Sequence, residues 1–249
     1  MKRRFIHTVL RCCAVLLLPA SLFFSSCQKN DIPDALVSKD ISPGNFNTIE
    51  IDGVYDIYLV QDTVCKVIVE GIQKRVDKTT ATLSDSILVL KTNRHGEFLH
   101  PDEPTTKLFI YVDTLKRINV NQACHIRCRN ALTGDEIGMV VATRQMEADL
   151  NFNCRVFYYW NNPDGTHLNL TGNVDELKIW NTGLAAVDAS TLNANYALVE
   201  NGSQGECRVR ATQTLEYSLT NTGNIYYYGH PSSLLPLSLT GTGTLIDAE

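Results

Sequence analysis

From residue 137 onward, apolar and polar residues alternate in short runs, and the runs return at a fixed distance. Ile137-x-Met139, Phe157-x-Tyr159, Leu177-x-Ile179, Ala197-x-Val199, Tyr217-x-Leu219 and Leu237-x-Leu239 occupy the same two phases of a twenty-residue period. A second alternating pair follows in several units, as in Val187-x-Ala189, Cys207-x-Val209 and Ile225-x-Tyr227. Between the two pairs the columns are turn-like. One reads Asn121, Val141, Asn161, Asn181, Asn201, Asn221, Gly241; two residues on, the next reads Ala123, Thr143, Pro163, Gly183, Ser203, Gly223, Gly243. Asn, Gly and Ser favour turns because they hydrogen-bond locally or tolerate unusual backbone angles. Strict alternation marks strands with one buried face, and no stretch after residue 41 has helical periodicity. A constant period with strands in register predicts a parallel β-solenoid, in which equivalent side chains of successive coils stack on one another. The first unit slips by one residue, with Ile118 and Val120 in place of 117 and 119.

The stretch 41–115 also alternates, but its strands follow no twenty-residue period, and a polar insertion runs from Asn93 to Thr106. The pattern Phe46-x-x-Ile49-x-Ile51-x-Gly53-x-Tyr55-Asp56-Ile57-x-Leu59 is followed by Val67-x-Val69-x-Gly71 and Leu88-x-Leu90. Together with the entry Leu115-x-x-Ile118-x-Val120 and the Asn- and Gly-marked units, this block resembles the head GIN domain family, labelled "putative auto-transporter adhesin". The resemblance spans about 41–246. It implies a right-handed β-helix-like protein of the cell envelope, and it carries no catalytic signature.

The N-terminus reads as an address. Met1-Lys2-Arg3-Arg4 precedes a run from Val9 to Phe24 that is apolar apart from Arg11 and Ser21, and Ser25-Ser26-Cys27 closes it. A basic start, a short apolar run and a small-residue boundary describe a secretory signal. With cysteine at the boundary, the segment resembles a bacterial lipobox, with Cys27 as the lipid-attachment site. The organisation expected is therefore a signal peptide at 1–26, a tether at 27–40 and one solenoid domain at 41–249. Within that domain, 41–115 is expected to be irregular and 116–249 regular. The address expected is that of an outer-membrane lipoprotein on the cell surface, with the membrane reached through the lipid anchor.

Composition and chemistry narrow the function by subtraction. The 249 residues include 22 basic and 27 acidic ones, a net charge of −5. Removing the four basic residues of the first 26 leaves 18 against 27, or −9. That balance lacks the basic footprint of a nucleic-acid binder. No nucleophile elbow, metal-protease helix or phosphate-binding glycine loop is present. The acids Asp175, Asp188, Glu200, Glu206 and Glu216 fall in different phases, so no paired carboxylates are expected. The cysteines at 65, 124, 128, 154 and 207 mostly sit at apolar phases and read as buried free thiols. No cofactor, metal site or catalytic residue is expected, His95 and His100 reading as solvated residues of the insertion.

One constellation remains. Trp160 and Trp180 lie twenty residues apart, in the phase opposite to inward Tyr159 and Ile179, with Tyr158 beside Trp160. Coils about 4.8 Å apart would stack the two indoles outward, a platform suited to a glycan face or a protein partner. The leading expectation is a non-catalytic binding or adhesion module, with self-association left open. The alternatives are a carbohydrate-active enzyme on the same scaffold and a structural subunit of an envelope complex.

Overall fold

The computed structural model describes residues 35–92, 104–162 and 165–249. The signal segment, Cys27, His95 and His100 lie outside these described residues. The first half of the chain runs through β1 (Leu36–Ile41), β2 (Thr48–Asp52), β3 (Tyr55–Gln61), β4 (Lys66–Ile72), α1 (Gln73–Lys78), β5 (Thr79–Ser84), β6 (Ile87–Thr92) and β7 (Thr106–Val112). Then come β8 (Arg117–Val120), β9 (Cys124–Cys128), β10 (Leu132–Val141), β11 (Met146–Asn161), β12 (Thr166–Gly183) and β13 (Ala186–Ser203). The chain closes with β14 (Cys207–Leu219), β15 (Ile225–Tyr228), β16 (Ser233–Leu239) and β17 (Leu245–Asp247). Coils β2–β3, β6–β7 and β8–β9 and the strands from β10 to the end stack in parallel, which makes this part of the chain a solenoid.

Alternation in the sequence becomes columns in the core. Leu88, Ile49, Ile118, Met139, Tyr159, Ile179 and Val199 lie rung over rung, each fully buried. On the other wall Leu108, Ile57, Ile126, Ala148, Leu168, Val187, Cys207 and Ile225 do the same. The long strands β11 to β13 bend between these walls, and the inward phase flips there: Cys154 and Val156 are buried, and so is Phe157.

Asparagines fill the turn as the period predicts. Asn161, Asn181 and Asn201 are buried, and the Asn181 amide donates to Asn201 Oδ1 at 3.1 Å and to the Ala185 carbonyl at 2.9 Å. The one-residue slip is also present, since Ile118 pairs with Met139 and Val120 with Val141. Farther on the period changes. Asn201 pairs with Leu219 and Cys207 with Ile225, a step of eighteen residues, so Leu219 rather than Asn221 covers Asn201. The cause is at the bend, where the register between β13 and β14 shifts twice and β14 takes the corner with fewer residues. Tyr217 therefore sits over Val199, two places from the phase that a strict twenty-residue ruler assigns it.

The N-terminal part is more regular than its sequence suggests. β2–β3 is itself a coil, sandwiched in parallel between β6–β7 on one side and β8–β9 on the other. What breaks the period is chain order: the first coil in sequence is not the first in the stack. Antiparallel strands cover this end, β4 on β7, β1 on β4 and β5 on β6. Such caps remove the open strand edges that an unfinished coil would present to other chains. Strand pairing begins at Leu36, inside the stretch expected to be tether. A short helix, absent from the sequence expectation, also forms; α1 buries Val76 and packs against β1, β4 and β5. Its six residues are too few to show a helical period. The opposite end lacks such a cap among the described residues: Leu234 and Leu239, which continue core columns, are exposed. Pro236 and a register shift interrupt the β16 edge there.

Candidate functional site

Strand phase places the aromatic candidates on one outward face. Val140, Trp160, Trp180 and Glu200 form one column across β10 to β13, and Gly138, Tyr158, Lys178 and Leu198 form the next. Trp160 is 46% exposed, whereas Tyr158 and Trp180 are half-buried. Tyr158 rests on the neighbouring coil at Gly138, where a Cβ would fall 1.9 Å from the ring. The Trp180 indole N–H donates to the Glu200 carboxylate at 3.1 Å, which ties it to the following coil. The two indoles thus share the expected column, but the ring contacts of the described residues lie elsewhere. Around the aromatic centre the polar groups are paired. Lys178 meets Glu176 at 2.8 Å and holds its carboxyl below the usual range. The Tyr196 hydroxyl donates to Glu216 at 2.9 Å. Burial and that carboxylate push the Tyr196 phenol up to about 12.

A second aromatic cluster escaped the sequence reading. Tyr58 on β3 and Phe109 on β7 stack with centroids 4.9 Å apart and planes 14° apart. The Arg129 guanidinium lies 4.5 Å over Tyr58, Arg127 donates to the Tyr58 hydroxyl at 3.4 Å, and Lys66 sits 4.3 Å over the Tyr111 ring. Cations over aromatic faces are attracted by the ring quadrupole. Both rings sit in outward phases, but their coils are adjacent out of chain order, so no repeat spacing joins them.

The reactive groups are occupied structurally. Asp175 accepts from Asn195, Asp188 from Ser190, Glu206 from Arg208, and Glu200 and Glu216 from the aromatics named above. His125 pairs through Nε2 with Asp149 at 3.3 Å and through Nδ1 with Arg127 at 2.7 Å. Among the described residues, no group of three or more His, Cys, Asp or Glu is arranged to hold a metal. The five described cysteines are free. Burial pushes the thiols of Cys124, Cys154 and Cys207 up to about 12 and that of Cys128 to about 11.

A capped stack of parallel coils with an outward aromatic face defines a β-solenoid. The chain belongs to the family described as "putative auto-transporter adhesin, head GIN domain", whose model matches residues 45–231. Solved structures agree on the fold. A "putative adhesin" from Bacteroides fragilis NCTC 9343 superposes with a TM-score of 0.79 at 20% identity, covering 86% of this chain and 97% of its own. A "putative lipid binding protein" from Parabacteroides distasonis ATCC 8503 gives 0.65 at 15% identity, covering 86% and 97%. A "putative adhesin" from the same organism gives 0.58 at 19% identity, covering 87% and 98%. No curated protein matches the chain.

Proposed function

We propose that the chain is a non-catalytic adhesion module of the bacterial cell envelope, tethered through acylated Cys27, that engages a protein partner with Tyr158, Trp160 and Trp180. The observation that carries this reading is the outward aromatic column, with Trp160 exposed and Tyr158 and Trp180 half-buried, held on strands that are paired on both sides. Large rings bury much area with little loss of entropy, and Trp and Tyr ringed by polar pairs is the composition of an interface hot spot. Family membership supports an envelope address, and the basic, apolar, Cys27-terminated leader supports the anchor. The absence of catalysis is supported by the five candidate carboxylates, Asp175, Asp188, Glu200, Glu206 and Glu216, each of which accepts a structural hydrogen bond. The test is adhesion of bacteria expressing the full chain to target cells stripped beforehand with protease or oxidised with periodate. Protease should abolish adhesion and periodate should spare it; the reverse outcome overturns a protein partner. Fractionation and protease shaving of cells carrying wild type or Cys27→Ala test the tether, which fails if the wild type is soluble or protected.

A further inference from the structure

The bend of the solenoid carries a shallow open groove, built by two columns that the sequence reading did not single out. Asn153, Asn173 and Asn193 lie on successive coils, two residues before Asp135's column of Arg155, Asp175 and Asn195. Between them runs a floor of Cys154, Val174 and Ala194, and the groove encloses about 490 Å³. The asparagines form a ladder: Asn173 donates to Asn153 at 3.1 Å and Asn193 to Asn173 at 3.0 Å. Each donating amide spends one of its two N–H groups this way, and all three asparagines are exposed.

We propose that this groove binds an uncharged, extended polysaccharide lying along the solenoid axis. Charge excludes an anionic chain. Arg155 is engaged by Asp135 at 2.6 Å and by Glu176 at 3.7 Å, which leaves no cation for the ligand, and Asp175 adds a negative charge. A peptide is disfavoured because the strands under the groove, β11 to β13, are paired on both sides and offer no backbone edge. Sugar hydroxyls both donate and accept, as the amides do. The amides also recur at the coil spacing of about 4.8 Å, close to the advance per sugar in an extended, equatorially linked chain. This site is separate from the aromatic face.

Titration calorimetry on the purified full chain tests it with three uncharged probes, the β-1,4-linked hexaoses of glucose, mannose and xylose, and with hexagalacturonate as the anionic control. At least one neutral hexaose should bind. Asn173→Ala with Asn193→Ala should weaken that binding by at least about tenfold, with the circular dichroism spectrum of the folded protein retained, and Trp160→Ala should leave it intact. The side-chain amide resonances of Asn153, Asn173 and Asn193 should shift on titration. Failure of all three neutral hexaoses to bind, equal or tighter binding of hexagalacturonate, or full binding by the asparagine variant would each overturn the site. None of these outcomes bears on adhesion through Trp160, so the two readings fail separately.

Discussion

Replacing Asn201 by alanine strikes the solenoid where its turns are held together. The side chain is fully buried. Its oxygen accepts from the Asn181 amide at 3.1 Å and from the Ser203 backbone N–H at 3.3 Å. Its nitrogen donates to the carbonyls of Gly223 at 3.1 Å and Gly205 at 3.3 Å. Truncation leaves Asn181 its bond to the Ala185 carbonyl, whereas the Ser203 N–H and the Gly223 carbonyl lose their side-chain partner. Net hydrogen bonds contribute about 0.5–1.5 kcal/mol each, and an orphaned buried group costs about 1–3 kcal/mol. Asn201→Ala should therefore destabilise by roughly 2–4 kcal/mol. Asn221 serves as the control, because the eighteen-residue step leaves it half-exposed, with one bond to a neighbouring coil (its amide donates to the Gly202 carbonyl at 3.0 Å) and one local, exposed bond from the Thr222 N–H at 2.9 Å. Asn221→Ala should cost under about 1 kcal/mol. Urea unfolding followed by circular dichroism, with hydrogen exchange across 199–207, reads both. Equal costs for the two variants, or a change under about 0.5 kcal/mol for Asn201→Ala, would refute the buried ladder as the turn's fastening.

Three further outcomes follow from named contacts. Gly172 has a φ of +109°, and a Cβ there would lie 2.0 Å from the Phe152 carbonyl oxygen, so Gly172→Ala should lower the melting temperature through backbone strain of about 1–3 kcal/mol. Cys124, Cys154 and Cys207 should resist a thiol reagent at pH 8 in the native protein and react fully in denaturant, since burial raises their thiols to about 12; rapid native labelling would place them outside the core. Asp149 is held below its ordinary 3.8, first by the Asn169 amide and then by His125. A depressed carboxyl contributes stability above its unfolded-state value and loses it as pH falls through the folded-state value. The acid limb of the pH–stability curve should therefore flatten in Asp149→Asn, and an unchanged limb would contradict that assignment.

Much of this arrangement is legible in the sequence because the stack converts periodicity into contact. Ile179 falls between Tyr159 and Val199, and Trp160 beside Trp180, wherever the coil is twenty residues long. The legible part ends where physical causes break the period. At the bend of β14 the chain takes a shorter path, which no local signal announces, and Leu219 displaces Asn221 from the ladder. Among β2 to β9 stacking order departs from chain order, so the Tyr58–Phe109 pair lies beyond any fixed spacing. The groove columns at 153, 173, 193 and at 135, 155, 175, 195 do obey the period. One column is all asparagine and the other alternates Asp with Arg and Asn, so neither carries the signature of stacked acids. The two indoles share a column, but the ring contacts among the described residues lie elsewhere, and the Trp180 N–H donates to Glu200 on the next coil.

The central claim, that the aromatic column is a functional surface and not core, is tested most directly by Trp160→Ala with Trp180→Ala, measured beside Ile179→Ala. Ile179 is fully buried between Tyr159 and Val199, so its truncation should cost roughly 2–5 kcal/mol. The tryptophan pair should shift stability by no more than about 1 kcal/mol, chiefly through the lost Glu200 bond, while cells displaying it lose adhesion. A double variant as destabilised as Ile179→Ala, or one that adheres as well as wild type, would contradict the account.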